Sequence, residues 1–383
     1  MDAPASSRDV SSRRRRFFFT IVTLLLATTA TLIFGDFFLY WWDARRVSGR
    51  PAPPIPWTRL SDPPINDDTP GGMRLKRFLD CEIVDPASGR VVKFRTNALG
   101  YRDRPVLPRE PGEFRILVLG DSITLSAYTE EEETYVRQLE HLLAKSLTGI
   151  RTINAGMRGA CLREYLLILT ETGLLTQPDM VLVGLYLNDA KRSRTFPLPE
   201  GLAAYSAIAR RLQELSLVNE LSDESRERWE RYAGKPFPTK SFPEEAWRTD
   251  REAFEALIAA AAVDWGFAWF PAAWEEMRPD MQLIRELTDK YGIRLAVALF
   301  PSTYQVEAMF LDTTPQEMFD KMMKEMKLPY LDLLPILRAA YRERGHSLAY
   351  DNCHLTPEGN AVVADALAEF LRPLIKEANS SAP

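Results

Sequence analysis

The sequence predicts an α/β fold: a three-layer sandwich on a central, mainly parallel sheet, preceded by one N-terminal transmembrane helix. Three observations predict it. Continuous apolar runs such as "FRILVLG" (114–120), "DMVLVGLYL" (179–187) and "IRLAVALFP" (293–301) suit parallel strands buried on both faces. Helical patterns alternate with these runs, which places helices on both faces of one sheet. Ahead of them stand nineteen uncharged residues, "FFFTIVTLLLATTATLIFG" (17–35), long enough at about 1.5 Å each to cross a bilayer core.

The N-terminal run is flanked in a particular way. Arg13 to Arg16 precede it, and the aromatic cluster "FFLYWW" follows Asp36, as at a headgroup layer. A cleaved signal peptide would have a shorter run and a small-residue site after it, so an uncleaved anchor is the preferred reading. A buried core helix does not suit arginines on both sides. Five Arg lie before the span and three soon after, which places the N-terminus in the cytoplasm and the body outside. The expected organisation is a basic cytoplasmic tail (1–16), an anchor (17–42) and a Pro-rich linker (43–72) acting as a semi-rigid tether. The body follows (73–376), and residues 377–383 are expected to be a disordered tail. The expected location is the plasma or inner membrane, single-pass, with the body periplasmic or extracellular.

Charge narrows the partners. The first fifty residues carry eight Arg against four Asp, net +4, and the remaining 40 basic and 49 acidic residues leave the body at −9. An acidic body argues against nucleic acid. There are three cysteines, Cys81, Cys161 and Cys353, and no CxxC, so a zinc ribbon or thioredoxin-type site is not supported.

Along the body, "RVVKFRTNALGYRD" (90–103) reads as a strand and a turn at Gly100. "FRILVLG" is the first buried strand. "EETYVRQLEHLLAKSL" follows as a helix, with Val136, Leu139, Leu142 and Leu143 at helical spacing. "RTINAG" (151–156) is a strand, "LREYLLILTETGLL" a helix and "DMVLVGLYL" a strand. "DMQLIRELTDKYG" is a helix closed by Gly292, followed by the strand "IRLAVALFP". "LPYLDLLPILRAAYRERG" holds a short strand and a helix, and "GNAVVADALAEFLRPLI" a last helix. From about 190 to 264 the alternation breaks into a polar, mostly helical insertion. Five of the eight Trp fall within 229–274. They read first as packing of the insertion's own core. The functional alternative is a lid or a platform for sugar rings or acyl chains.

The chemistry gathers at strand ends. "ILVLGDSITLS" (116–126) delivers Asp121 and Ser122 at the tip of a buried strand, where α/β proteins place working residues. Of three His, His141 sits among charged neighbours in a helix and His346 in a polar loop. His354 alone follows an acidic residue, Asp351, at a short fixed offset. An Asp there can fix the imidazole tautomer so that Nε2 faces a nucleophile. The plain alternative is a solvated loop pair with capping duties. "INAGMRG" puts Gly156 and Gly159 after the second strand, and "GLYLND" puts Asn188 and Asp189 at the tip of the third. A backbone N–H beside Gly and an Asn amide are oxyanion donors, though each fragment alone suits a turn or a cap. G-x-S-x-G is absent; "GHSLA" (345–349) comes nearest and follows no strand.

Taken together, the chain resembles the SGNH hydrolase superfamily, the GDSL esterases and lipases, whose fold is flavodoxin-like. "GDSI" resembles block I, "NAGMRG" block II, "LND" block III and "DNCH" block V, over roughly residues 113–375. "TNALGYRD" (96–103) resembles membrane-anchored bacterial members. Leu187 stands where a Gly-x-Asn-Asp pattern is commoner, Gly184 lies four residues before Asn188 rather than two, and the insertion is long. The resemblance implies that Ser122 is the nucleophile, His354 its base and Asp351 the residue that orients His354. The N–H groups of Ser122 and Gly159 and the Asn188 amide would hold the oxyanion, with Gly159 preferred to Gly156. It implies an acyl-enzyme, no cofactor and no metal.

Three functions follow: a membrane-anchored ester hydrolase acting outside the cytoplasm on acyl or acetyl esters of a glycan or lipid, an O-acyltransferase (acetyltransferase) modifying an envelope polysaccharide, or a catalytically silent assembly protein of the same fold. The intact Ser122, Asp351 and His354 weigh against the last. For the cysteines, the expectation is three buried thiols, and if any disulfide exists, Cys161–Cys353.

Overall fold

The structure is a computed structural model. It describes residues 7–48, 66–67, 74–84, 89–190 and 206–381. These form two compact units, one of α1 (Ser7–Ser48) with the start of α5 (Ala207–Ala233, as far as Asn219), the other of the remaining residues. Within α1, Arg15–Leu39 is a 25-residue stretch long and apolar enough to cross a membrane, and no residue of its apolar window is buried. Its Asp36 accepts hydrogen bonds from Ser206 Oγ (2.9 Å) and the Ile208 N–H (2.8 Å), capping the first turn of α5. Most of the 43–72 linker lies outside the described residues.

In the larger unit, β1 (Asn66–Asp67) and β2 (Arg74–Leu75) form a short ladder, and β3 (Asp80–Val84) pairs antiparallel with β4 (Val91–Arg95). β5 (Phe114–Gly120) is followed by the single turn α2 (Ser122–Leu125), then α3 (Tyr135–Ala144), β6 (Ile150–Gly156), α4 (Leu162–Ile168) and β7 (Met180–Tyr186). The described insertion contains no strand; after α5 it has α6 (Arg251–Ala260). α7 (Pro271–Lys290), β8 (Arg294–Phe300), α8 (Thr303–Glu307), α9 (Thr314–Met326), β9 (Tyr330–Asp332), α10 (Leu334–Arg344) and α11 (Pro357–Ser381) complete the chain.

Five strands make one parallel sheet in the order β6-β5-β7-β8-β9. Every residue of β5 and β7 is buried, which explains their unbroken apolar runs. The chain steps from β5 outward to β6, then crosses back over β5 to β7 and onward. Right-handed crossovers therefore put α3 on one face and α4, α7 and α9 on the other. The contacts agree: α3 packs on β6 and against α11, while α7 packs against α4 and α9. That reversal makes the carboxyl end of β5 a topological switch point, where a cleft opens.

Several elements differ from expectation. α7 begins at Pro271, nine residues before the segment read as helical, and continues through Pro279. α9 was not anticipated, nor was β3. The helix after β6 ends at Ile168 and passes into a wider turn over Leu169–Gly173, where a Cβ on Gly173 would stand 2.8 Å from Leu117 Cδ2. α11 runs on through Ser381, into the segment read as a disordered tail. Trp229, Trp265 and Trp274 are buried, but they pack into the main core rather than a separate core of the insertion: Trp265 meets Tyr304 of α8 and Trp274 meets Phe319 of α9.

Candidate active site

Ser122 is the first residue of α2, directly after β5. Asp121 caps that turn, its Oδ1 accepting from the Ile123 N–H at 2.8 Å. The turn fits because three neighbouring strands carry glycine there. Gly120 pairs with Gly156 on one side and Gly184 on the other. A Cβ on Gly120 would stand 1.9 Å from Thr124 Oγ1, and one on Gly156 would stand 2.3 Å from the Leu125 nitrogen. Side chains at either position would push α2 off the sheet.

The expected base, His354, arrives from the far end of the chain. Ala349 and Leu355 bridge, Tyr350 N–H donates to the His354 carbonyl (2.8 Å), and Asp351 Oδ1 accepts the N–H groups of Cys353 (2.9 Å) and His354 (2.8 Å). The loop is also held to α8, whose Thr303 N–H donates to the Asn352 carbonyl at 2.8 Å. These bonds present His354 with Nδ1 at 2.7 Å from Asp351 Oδ2 and Nε2 at 2.8 Å from Ser122 Oγ. Burial pushes the Asp351 carboxyl up, but the bonds from His354 and the loop N–H groups outweigh it and bring its pKa down to about 2. Burial pulls His354 down, and the Asp351 bond and charge outweigh that, so it is raised. The Asp121 charge adds to the rise, and that of Arg158 opposes it.

The two expected oxyanion residues lie on the strands flanking β5. Gly159 sits three residues past β6 with φ +70°, in a turn that glycine favours. The Gly156 N–H donates to Asn154 Oδ1 at 2.9 Å, so it is already engaged. Asn188 lies in the turn Leu187–Ala190 that ends β7. Its neighbour Asp189 is buried and structural, accepting from Tyr165 Oη (2.9 Å) and the Tyr186 N–H (2.8 Å). The other histidines stand apart: His346 pairs with Glu358, and His141 is exposed on α3 beside Glu132.

Beside the Ser122–His354 pair is a cleft enclosing about 200 Å³, partly open to solvent, with Tyr128, Tyr350 and Leu355 in its walls. A larger cleft of about 440 Å³, between the Leu99–Tyr101 turn and α4, includes neither Ser122 nor His354.

Three supporting residues carried no assigned role in the sequence reading. Buried Arg102, in "TNALGYRD", donates to the carbonyls of Leu125 (2.9 Å), Ser126 and Thr129, gripping the chain just after α2. Asn154, in "NAGMRG", donates from Nδ2 to the Thr124 carbonyl at 2.9 Å. Asn360 accepts the Tyr135 N–H (3.0 Å) and the Ser126 hydroxyl (3.3 Å), and donates to the Thr356 carbonyl (3.0 Å). Only Asn154 carried a signal along the chain, as a polar residue inside the buried part of β6.

All three cysteines are free thiols, as the preferred reading had it, and the conditional Cys161–Cys353 disulfide is not formed. Cys161 Sγ donates to Glu164 Oε2 (2.8 Å), while Cys353 Sγ lies 3.6 Å from His354 Nδ1, so each thiol faces a different partner. Burial pushes both thiols up.

Residues 118–303 match the model of the GDSL-like Lipase/Acylhydrolase family. The matched segment is a GDSL-like lipase/acylhydrolase domain, which supports a carboxylic ester hydrolase built on the parallel sheet described above. No curated protein matches the sequence. Among solved structures it is similar to an acetyl xylan esterase at 15% identity (67% of this chain, 98% of that one, TM-score 0.39). It is similar to a lipase/acylhydrolase from Enterococcus faecalis at 15% identity (68% and 96%, TM-score 0.39). A two-domain esterase active on acetylated mannans matches at 14% identity over 70% of this chain, TM-score 0.39, and the match spans 51% of that protein's length.

Proposed function

We propose that this GDSL-type domain is a serine ester hydrolase. It is held at a membrane by its N-terminal helix and acts outside the cytoplasm on short acyl esters, such as acetyl esters, of a glycan or lipid. The observation that carries the reading is the unbroken chain of hydrogen bonds from Ser122 Oγ through His354 to Asp351, at 2.8 and 2.7 Å. Ser122 Oγ attacks the ester carbonyl as Nε2 takes its proton. Asp351, ionised through the neutral range, stabilises the imidazolium. The Gly159 N–H and the Asn188 amide receive the charge on the carbonyl oxygen. His354 then protonates the departing alkoxide, and water, activated by the same ring, releases the acid from Ser122. The partly open cleft beside Ser122 gives an ester access to the nucleophile. The Arg distribution around residues 17–35 supports the orientation.

The test compares wild type with Ser122→Ala on p-nitrophenyl esters of increasing length, alongside labelling by a fluorophosphonate probe. Loss of turnover by several orders of magnitude and loss of labelling are expected, with the fold intact. Retained turnover and labelling in the variant would refute Ser122 as nucleophile.

A further inference from the structure

We propose that the loop carrying His354 is also an inhibitory site for a divalent cation of the zinc class. Asp351, Cys353 and His354 each offer a ligand atom, and these atoms all lie within 4.8 Å of one another. His354 Nδ1 is 3.6 Å from Cys353 Sγ and 2.7 Å from Asp351 Oδ2. Zinc bonds of about 2.3 Å to sulfur and about 2.0 Å to nitrogen set the S-to-N edge of a tetrahedral site at roughly 3.5 Å. Thiol and ring therefore already stand at that separation, and the carboxylate has only to widen its contact by roughly half an ångström. The loop is pre-shaped by the two N–H bonds to Asp351 Oδ1 and by the bond from Thr303 to Asn352. Asp351 is half exposed, which gives an ion a way in. One thiolate, one imidazole and one carboxylate favour zinc or cobalt over magnesium or calcium.

Binding would switch the base off through its tautomer. Cys353 loses its proton to solvent as the sulfur–metal bond forms. The imidazole stays neutral: the proton on Nδ1 leaves so that this nitrogen can bind the metal, and Nε2 takes one up. Ser122 Oγ then faces an N–H donor and has no base. The ion is an inhibitor here and supplies no step of the reaction. The inhibition rests on the role proposed above for His354; the binding does not.

The test uses the full-length protein in detergent, stripped with EDTA and titrated with CoCl₂ and ZnCl₂. Near-ultraviolet absorption reports cobalt–thiolate bonds, equilibrium dialysis counts zinc, and p-nitrophenyl acetate turnover is read in the same samples. The expected result is one ion per chain, a cobalt–thiolate band, and turnover lost in proportion to occupancy and restored by EDTA. Cys353→Ser and Cys353→Ala should lose the band and need at least tenfold more zinc for half-inhibition, each scaled to its own rate in EDTA. Cys81→Ser should keep both responses. A missing band, or zinc inhibition unchanged in both Cys353 variants, would overturn the inference. An enzyme inactive even in EDTA would instead refute the hydrolase reading, while the cobalt band still decides the site.

Discussion

Ser122 Oγ and His354 Nε2 lie 2.8 Å apart although 232 positions separate them in the chain. Asn360, completely buried, links their two segments by bonding both the chain around α2 and the turn after His354. A contact supported from both sides in this way keeps its geometry without substrate.

The first prediction concerns pH. In the proposed mechanism neutral His354 is the base, and its pKa is held above the ordinary 6.5, so kcat/KM should rise with pH along a limb above that value. Asp351→Asn removes the raising partner. The limb should move below 6.5 as burial takes over, with kcat lower by about 10⁴. Stability follows the opposite signs of the two shifts. His354, raised, stabilises the fold below its ordinary pKa and loses this as pH rises through its folded value. Asp351, lowered, stabilises above its ordinary 3.8 and loses this as pH falls toward about 2. Urea midpoints should therefore fall less steeply in Asp351→Asn than in wild type between pH 3.8 and about 2, whereas around 6.5 the variant should lose stability on acidification where wild type gains it, because its buried ring takes up a proton without a partner.

Asn188→Ala should lower kcat by about 10²–10³ with little change in KM, because an oxyanion donor acts on the transition state. Thermal unfolding should stay near wild type, since Asn188 sits in the turn after its strand and its buried Oδ1 accepts no hydrogen bond among the described residues. Gly156→Ala should do the reverse and lose folded protein, because its Cβ meets the Leu125 nitrogen at 2.3 Å. Kinetics paired with melting curves separate the two behaviours.

Arg102→Met should destabilise the fold by about 3 kcal/mol, since three buried carbonyls lose their donor. Arg102→Lys should recover only part, because an ammonium cannot reproduce the planar fork. Turnover should fall in both, as the turn carrying Ser122 loses its clamp. Urea titration and kcat measured well below the melting temperature check this.

Protease added to intact spheroplasts should digest the body and leave the N-terminal tail protected. A fully protected body would refute the orientation. A soluble form beginning beyond Gly35 would identify the segment as a cleaved signal.

The parts legible from the chain alone were those governed by local pattern. β5, β7 and β8 announce themselves because a strand buried on both faces has no polar side to show. α3 announces itself through helical spacing, and the four chemical fragments through side-chain type. β3 was missed because it is mostly exposed, with outward-facing Asp80 and Glu82 that break the apolar signal. α9 was missed although its buried Phe319, Met322, Met323 and Met326 follow helical spacing.

What needed the third dimension was every question of partner. Gly156 and Gly159 are the same residue type three positions apart. In the fold they differ in two ways: the Gly156 N–H bonds Asn154, whose amide in turn holds the Thr124 carbonyl, and Gly159 alone has a positive φ. Cys161 and Cys353 were expected in one neighbourhood, yet one thiol faces Glu164 and the other His354. Arg102 looked like one more charged residue after a turn until folding placed three carbonyls around it. Periodicity and residue chemistry are written along the chain. A hydrogen-bond partner is set by which strand ends the parallel sheet brings together, and that order is a property of the packed core.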